Sequence, residues 1–240
     1  MSSDAARTPP SSYTSPTPPR TLPTRAPKTK SPNHDYNKGT RETYVKMVER
    51  MDQGVGKITK ALSDAGLTEN TLFVFMSDNG ANKTGDNSPY SGYKGNLFEG
   101  GIRVPCIAVW PGILAPGTTS DQPCITMDFS RSILAAVGTA PPPNRPFDGI
   151  DILAAVAANV PLKQRTLFWR ARRAPWTRKA VRHGSLKYIR LQNDVKTQEY
   201  LFDLAADPAE KNNLLTQRPD QVRRLKYLLK AWEAEVRHKR

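Results

Sequence analysis

The segment at residues 71–80, TLFVFMSDNG, constrains the fold of this chain more than any other. A continuous apolar run of this length, bounded by turn-forming residues, predicts a strand buried on both faces of a parallel sheet. Ligands of open α/β sheets bind beyond the carboxyl ends of the strands, and Asp78 and Asn79 lie at such an end. Their oxygens suit a divalent cation such as Ca²⁺ or Mg²⁺. The alternative is that Ser-Asp-Asn-Gly forms only a turn.

A second motif follows at residues 91–105, SGYKGNLFEGGIRVP. The order is Ser-Asp-Asn-Gly, a short polar loop, Lys-Gly-x-x-x-Glu-Gly-Gly-x-Arg-Val-Pro, and an apolar strand that ends in Trp-Pro-Gly. This order resembles the C-terminal half of the sulfatase family, in the alkaline-phosphatase-like superfamily. The resemblance extends from about Tyr36 to the C-terminus and is most specific between Ser77 and Gly112. It favours the metal site over the turn.

The resemblance implies hydrolysis of a sulfate ester. In the family, a cysteine or serine is oxidised to formylglycine, whose hydrate attacks sulfur, while a calcium ion and basic side chains bind the sulfate oxygens. Fixed cations stabilise the charge on a transferring sulfuryl group. By the match of motifs, Lys94 corresponds to the sulfate-contacting lysine, and Asp78 and Asn79 to the metal pair. Glu99 and Arg103 flank a tight Gly-Gly path and are expected to support the site loop structurally.

Two parts of the family's site have no match in this sequence. The oxidised residue lies in a Cys/Ser-x-Pro-x-Arg motif, which neither Cys106 nor Cys124 fits, and there is no Asp-Asp pair to supply two further metal ligands. Ca²⁺ takes about six to eight oxygens, of which Asp78 and Asn79 offer about two or three. We therefore expect a sulfatase fragment with no nucleophile, calcium-dependent in the intact family and inactive alone.

Composition and hydrophobic periodicity divide the chain into three parts. Residues 1–35 are rich in Pro, Ser and Thr and are expected to be disordered. A further hypothesis is that this segment is out of frame, because codons compatible with residues 10–21 can be read two bases later as a strand and a His-x-Pro segment that resemble those of sulfatases. Residues 36–160 are expected to be the C-terminal part of the catalytic domain, and residues 161–240 a small subdomain. The predicted fold class is α/β: a partial alkaline-phosphatase-like sheet-and-helix core followed by a small antiparallel α+β subdomain.

Individual elements follow from the same periodicities. Helices are predicted at residues 44–62, from Asp128 onward and at 219–237. Strands are predicted at residues 72–76, 104–110, 166–170, 180–182, 187–191 and 199–204, with a hairpin turn at His183-Gly184. Cys106 and Cys124 lack Cys-x-x-Cys spacing and are expected to be small buried hydrophobes, with their pairing left open.

The net charge of +14 is concentrated in the last third, where residues 161–240 contain 20 lysines and arginines against 8 acidic residues. Such a surface favours anionic partners, although it can also be a merely solvated basic face. The sequence contains no nucleic-acid motif, no apolar stretch long enough to span a membrane and no signal-peptide core. We expect a sulfated small molecule or sulfated polysaccharide as the partner, and a periplasmic or secreted intact parent.

Two other functions stay open. Asp-Asn metal pairs and basic loops also serve phosphate, which makes a phosphoryl or phosphonate ester hydrolase of the same superfamily one alternative. The other is a non-catalytic polyanion-binding domain built on the basic last third. Arg172, Arg173 and Trp176 are candidates for a substrate rim.

Overall fold

The computed structural model describes residues 39–140, 142–144 and 147–238, so the segment predicted to be disordered lies outside the described residues. The α/β class is confirmed. The elements, in chain order, are α1 (Arg41–Asp64), a 3₁₀ turn (Thr68–Asn70), β1 (Phe73–Met76), α2 (Glu99–Ile102), β2 (Cys106–Val109), α3 (Thr126–Ala136), α4 (Ile152–Ala157), β3 (Thr166–Arg173), β4 (Trp176–His183), β5 (Leu186–Gln192), β6 (Thr197–Asp203) and α5 (Pro219–His238). Within the described ranges, no helix combines the length and the apolar character that crossing a membrane requires.

The chain divides into two compact units. The described part of the first comprises Lys46–Phe75 and Ile107–Leu162, and the second comprises Gly39–Val45, Met76–Cys106 and Lys163–Arg240. All the residues predicted for the site therefore belong to the second unit.

In the first unit, α3 and α4 are joined by buried polar contacts. The Asp128 carboxylate accepts hydrogen bonds from the backbone amides of Ile125 and Ile150, at 2.8 and 3.0 Å. The Leu153 amide of α4 donates to the Ser132 hydroxyl of α3 at 3.3 Å. Asp128 thus caps the start of α3, which begins at Thr126, two residues before the predicted start.

Two expectations about burial in this region were wrong. β1 is half-buried along its length rather than buried on both faces, and most of β2 is exposed. Cys106 and Cys124 are exposed rather than buried. Among the described residues, β1 and β2 pair only with each other, so they are not inner strands of a wide sheet whose two faces are covered by other layers. Cys124 lies outside both strands, in the segment before α3.

The second unit is built on a four-stranded antiparallel sheet in the order β3-β4-β5-β6, which confirms the predicted antiparallel subdomain. Gly184 has a φ of +62° and lies in the turn between β4 and β5, where the hairpin was predicted. The terminal helix α5 packs on one face of this sheet. Three apolar side chains of the helix pack on three of the sheet. The helix contributes Val222, Leu225 and Leu229, and the sheet contributes Val181, Tyr188 and Leu201.

The opposite face of the sheet carries the segment around α2. Leu97 is buried there against Ala180, Ile189 and Phe202. The Phe98 ring meets the Tyr200 ring edge to face, with centroids 5.4 Å apart. The sheet therefore holds the site loop on one face and α5 on the other.

A buried charge cluster joins this loop to the sheet. Lys187 of β5 is 0% exposed, and its Nζ lies 2.7 Å from Glu99 Oε1 and 2.9 Å from Glu210 Oε1. The Glu99 backbone amide donates to the second carboxylate oxygen of Glu210. Burial raises the pKa of Glu210, and the charge of Lys187 opposes that rise. One ammonium thus connects the site loop, the sheet and the segment after β6.

Replacing Leu225 with Ala is expected to lower the free energy of unfolding by about 2–5 kcal/mol, because the side chain is 2% exposed and its removal leaves a cavity between α5 and the sheet. Tyr227→Ala, on the same helix at a side chain 72% exposed, should change it by no more than about 0.5 kcal/mol. Urea unfolding followed by circular dichroism measures both. Equal losses would contradict a core between α5 and the sheet.

Replacing Lys187 with Met is expected to cost about 3–5 kcal/mol of unfolding free energy, because it leaves two buried carboxylates without their cation. Lys226→Met is the matched control: its Nζ lies 2.7 Å from Glu199 Oε2, but the side chain is 43% exposed. The control should cost no more than about 1 kcal/mol. A Lys187 variant as stable as the control would show that the cluster does not hold the loop.

The loss of unfolding free energy in the Lys187→Met variant is also expected to become smaller as the pH falls. A carboxyl whose folded pKa is raised binds its proton more readily in the folded state, so it stabilises the fold at low pH, and this stability is lost as the pH rises through the folded pKa. Without Lys187, the rise caused by burial of Glu210 is no longer opposed. Unfolding free energies of variant and wild type, measured from neutral pH toward the ordinary glutamate pKa of about 4.3, should converge. A gap that is constant with pH would count against this.

Candidate functional site

The predicted metal pair directly follows β1. Asp78 is exposed and Asn79 is half-buried. The Ser77 hydroxyl donates to the Asn79 carbonyl oxygen at 2.8 Å, and the Ser77 amide donates to the Pro105 carbonyl oxygen at 3.3 Å. These bonds fix the backbone at the end of the strand and involve neither side chain of the pair.

The donor set suits Ca²⁺ in kind but not in number. Carboxylate and amide oxygens are the groups that Ca²⁺ prefers, and a full shell needs about six to eight of them. Among the described residues, no three His, Cys, Asp or Glu side chains come together as a metal site. Asp78 and Asn79 alone could therefore supply only part of such a shell within the described part of the chain.

Three glycines allow the segment after this pair to pack directly on the motif loop. The Gly80 amide donates to the Gly101 carbonyl oxygen at 3.0 Å. A Cβ at Gly80 would lie 1.9 Å from the Gly100 carbonyl oxygen, and a Cβ at Gly100 would lie 2.6 Å from that of Ser91. A side chain at Gly80 would therefore separate the two backbones, and one at Gly100 would clash with the main chain of the motif loop itself.

Lys94 is held on the same segment by its main chain. Its amide donates to the Ala81 carbonyl oxygen at 2.9 Å. The Asn87 side chain holds Ala81 from the other side, accepting from its amide at 2.8 Å and donating to its carbonyl at 3.0 Å. The Lys94 side chain is exposed, and no carboxylate among the described residues pairs with it. We call residues 77–81 and 91–103, which carry Asp78, Asn79 and Lys94, the loop cluster.

Glu99 and Arg103 contact protein groups rather than the open part of the loop cluster. The Glu99 carboxylate lies between Lys187 and Arg103, whose Nη1 is 3.9 Å from Glu99 Oε2. The Arg103 guanidinium lies over the Tyr90 ring, 4.7 Å from its centroid. The Ser91 hydroxyl donates to the Ala209 carbonyl oxygen at 2.6 Å, beside Glu210. Both ends of the motif are therefore fixed to the segment after β6.

Arg182 adds a further cation to this region. Its Nε donates to the Gly184 carbonyl oxygen at 2.9 Å. Burial lowers the pKa of Arg182, the Glu99 charge opposes that change, and Arg103 adds to it. Arg182 is thus the third cation near Glu99, besides Lys187 and Arg103.

The sequence did not identify Asn87, Lys187 or Glu210. One signal was available for Lys187. It shares a strand face with the apolar residues Ile189 and Leu191, and a charge buried on such a face needs a charged partner. Its two partners lie too far away in sequence to be recognised. The residues predicted for a substrate rim do not all share one face of the sheet. Arg172 pairs with Thr177 on one face, whereas Arg173 pairs with Trp176 on the other.

Known proteins resemble this chain over most of its length. The sulfatase family model matches residues 9–139, and the model for the C-terminal part of N-sulphoglucosamine sulphohydrolase matches residues 93–237. An N-acetylgalactosamine-6-sulfatase from Canis lupus familiaris is 40% identical over 135 residues, covering 54% of this chain and 26% of that protein. A sulfatase from Formosa agariphila is 30% identical over 218 residues, covering 82% of this chain and 38% of that protein.

The fold is shared with solved structures. The crystal structure of Ps i-CgsB in complex with k-i-k-neocarrahexaose has a TM-score of 0.72 at 29% identity, over 80% of this chain and 43% of that one. This likeness confirms the alkaline-phosphatase-like fold class. The chain spans about a quarter to two fifths of the length of the two curated relatives described above. Because the sulfatase model matches more than half of the chain, on the residues that carry the loop cluster, the chain belongs to the sulfatase family.

Proposed function

We propose that this chain carries the sulfate-binding part of a sulfuric ester hydrolase that acts on a sulfated sugar or another sulfated small molecule. The observation that carries the proposal is the hydrogen bond from the Lys94 amide to the Ala81 carbonyl oxygen, which places Lys94 on the segment that begins with Asp78 and Asn79. The similarity to an N-acetylgalactosamine-6-sulfatase and to a structure containing a neocarrahexaose supports a sugar substrate.

In this proposal, the Lys94 ammonium contacts a sulfate oxygen. A fixed cation at that position stabilises the negative charge that the sulfuryl oxygens carry during transfer. Lys94 suits this role because its backbone is fixed while its exposed ammonium has no carboxylate partner among the described residues. Glu99 and Arg103 are positioning residues, since they fix the loop through Lys187, Glu210 and the Tyr90 ring.

Asp78 and Asn79 are proposed as two ligands of a Ca²⁺ ion. When bound, this ion would supply positive charge next to the sulfate group. The remaining oxygens must come from groups that the described residues do not place there, so no reaction step is assigned to the metal. We also propose that the chain alone does not turn over a sulfate ester, because its sequence has no Cys/Ser-x-Pro-x-Arg motif for formylglycine.

Binding of 4-methylumbelliferyl sulfate to the 240-residue chain tests the role of Lys94 without requiring turnover. Replacing Lys94 with Ala is expected to weaken binding about tenfold or more, because a charge-assisted hydrogen bond contributes about 1.5–3 kcal/mol. Lys83→Ala is the matched control, since Lys83 is an exposed lysine that lies over the Tyr93 ring. This control should stay within about twofold. Titration calorimetry measures all three proteins.

The same titration separates the competing functions. Equal or tighter binding of 4-methylumbelliferyl phosphate would favour the phosphoryl or phosphonate ester hydrolase. A sulfate-ester affinity that Lys94→Ala leaves unchanged would overturn the assigned role. Binding that both lysine variants weaken equally would show only a general effect of charge.

Calcium binding is expected to depend on Asp78. With about two or three protein oxygens, the site should bind Ca²⁺ weakly, with a Kd on the order of millimolar, and Asp78→Ala should abolish the binding. Asp86→Ala removes another carboxylate from the same unit and should leave it unchanged. Calorimetric titration with CaCl₂ gives the comparison. Equal Ca²⁺ affinity in wild type and Asp78→Ala would exclude this residue as a ligand.

A further inference from the structure

A groove of about 520 Å³ lies on the four-stranded sheet, and none of the residues that line it belongs to the loop cluster. Arg170 and Arg172 of β3 line it, together with Thr177 and Lys179 of β4 and Gln192 of β5. Arg170 pairs with Lys179, and Thr177 pairs with both Arg172 and Gln192. Because paired residues of an antiparallel sheet share a face, these side chains rise from one face.

This is the face that α5 covers. Phe168, two residues before Arg170 on β3, stacks on Trp232 of α5 with ring centroids 5.0 Å apart. Lys179 Nζ lies 2.6 Å from Glu233 Oε1, near the C-terminal end of α5. The groove therefore lies on the face that α5 covers, next to the C-terminal end of this helix. The site loop packs on the opposite face of the sheet.

Like charges meet across the strands beside the groove. Lys179 is paired with Arg170 on one side and with Arg190 on the other, and like charges placed directly opposite each other are unfavourable. Glu233 compensates Lys179, and Glu199 lies 3.9 Å from Arg190. Among the described residues, Arg170 and Arg172 form no ion pair. Both guanidinium groups are exposed, so an anionic ligand can reach them.

We propose that this groove is a second anion-binding site, outside the loop cluster, that takes a sulfated sugar chain. Arg170 and Arg172 stand two residues apart on one strand, about 7 Å along its axis, so they can meet two anionic groups of an extended chain. Guanidinium groups match the geometry of sulfate and carboxylate oxygens. The hydroxyl of Thr177 and the amides of Gln192 and Asn193 suit sugar hydroxyl groups.

The composition of the groove favours a sugar over a nucleic acid. Proteins that bind single strands stack the bases on aromatic side chains, and no aromatic residue lines the groove. Its lining includes one acid, Asp194, which lowers the positive charge but can accept hydrogen bonds from sugar hydroxyls. Binding in the groove requires no catalytic activity of the loop cluster, so this proposal does not depend on the proposed function.

The test is binding of a heparin hexasaccharide to the 240-residue chain by calorimetry at about 150 mM salt. The double variant Arg170→Gln/Arg172→Gln is expected to weaken binding by about tenfold or more, since each arginine contributes charge-assisted hydrogen bonds. The double variant Arg173→Gln/Arg178→Gln is the matched control: it removes the same two charges from β3 and β4, but from residues that face the other side of the sheet. The control should stay within about twofold.

Several results would overturn the proposal. Equal loss in Arg170→Gln/Arg172→Gln and in Arg173→Gln/Arg178→Gln would show attraction by net charge alone. Loss with Lys94→Ala but not with Arg170→Gln/Arg172→Gln would place the hexasaccharide at the loop cluster. Displacement by sodium sulfate at the same sulfate concentration would indicate a single-ion site, and equal competition by an oligoadenylate would indicate a nucleic-acid surface.

A second measurement does not depend on how well the variants fold. In the wild-type chain, titration with the hexasaccharide should shift the backbone amide NMR signals of Thr177, Gln192 and Asn193, which line the groove. Signals of residues on the opposite face, such as Ile189, should move little. Binding without shifts at the groove residues would contradict the proposed site.

Discussion

The structure of the second unit depends on the ammonium of Lys187, which is buried between the carboxylates of Glu99 and Glu210. Three groups far apart in sequence meet there, and none could be buried alone, because an uncompensated charge in the interior costs several kcal/mol. The cluster is stable only when it is complete. It therefore specifies one position of the motif loop on the sheet, which purely apolar contacts between Leu97 and the sheet would specify less strictly.

This constraint extends to the residue proposed to contact sulfate. Glu99 begins α2, and its backbone amide is bound by Glu210, so the end of the Lys-Gly-x-x-x-Glu-Gly-Gly motif is fixed at both side chain and main chain. Close glycine packing then places the segment after Asp78 and Asn79 against the loop. A binding group must be held within a fraction of an ångström to act on a developing charge. The sheet thus provides the rigidity that the exposed Lys94 does not have by itself.

The sequence predicted the elements better than their surroundings. The apolar spacing of α5 and the turn at Gly184 are local signals, and both were confirmed. The strands β3 and β4 extend further than predicted, because ladder pairing continues through polar residues that carry no alternating pattern. α4 was missed because six residues are too few to show a helical period, and its start depends on Asp151 and on Ser132 from another helix.

The surroundings of the elements were harder to predict. The predicted burial of β1 and β2 was wrong because an apolar run indicates strand propensity, whereas burial depends on what covers the strand. The loop cluster was found only through its motif, and Lys187 was not found because its partner Glu99 lies 88 residues away.

The two faces of the four-stranded sheet use cations in opposite ways, and burial decides which. Lys187 is enclosed and paired with both neighbouring carboxylates, so its charge is not available to a ligand. Arg170 and Arg172 are exposed, where solvent screens an unpaired charge at little cost, so the fold can keep them without partners. The same reasoning applies to Lys94, whose main chain is fixed while its ammonium stays in solvent. In this unit, a cation suited to binding an anionic substrate is one that the protein positions but does not neutralise, and that criterion separates Lys94 and the two groove arginines from Lys187.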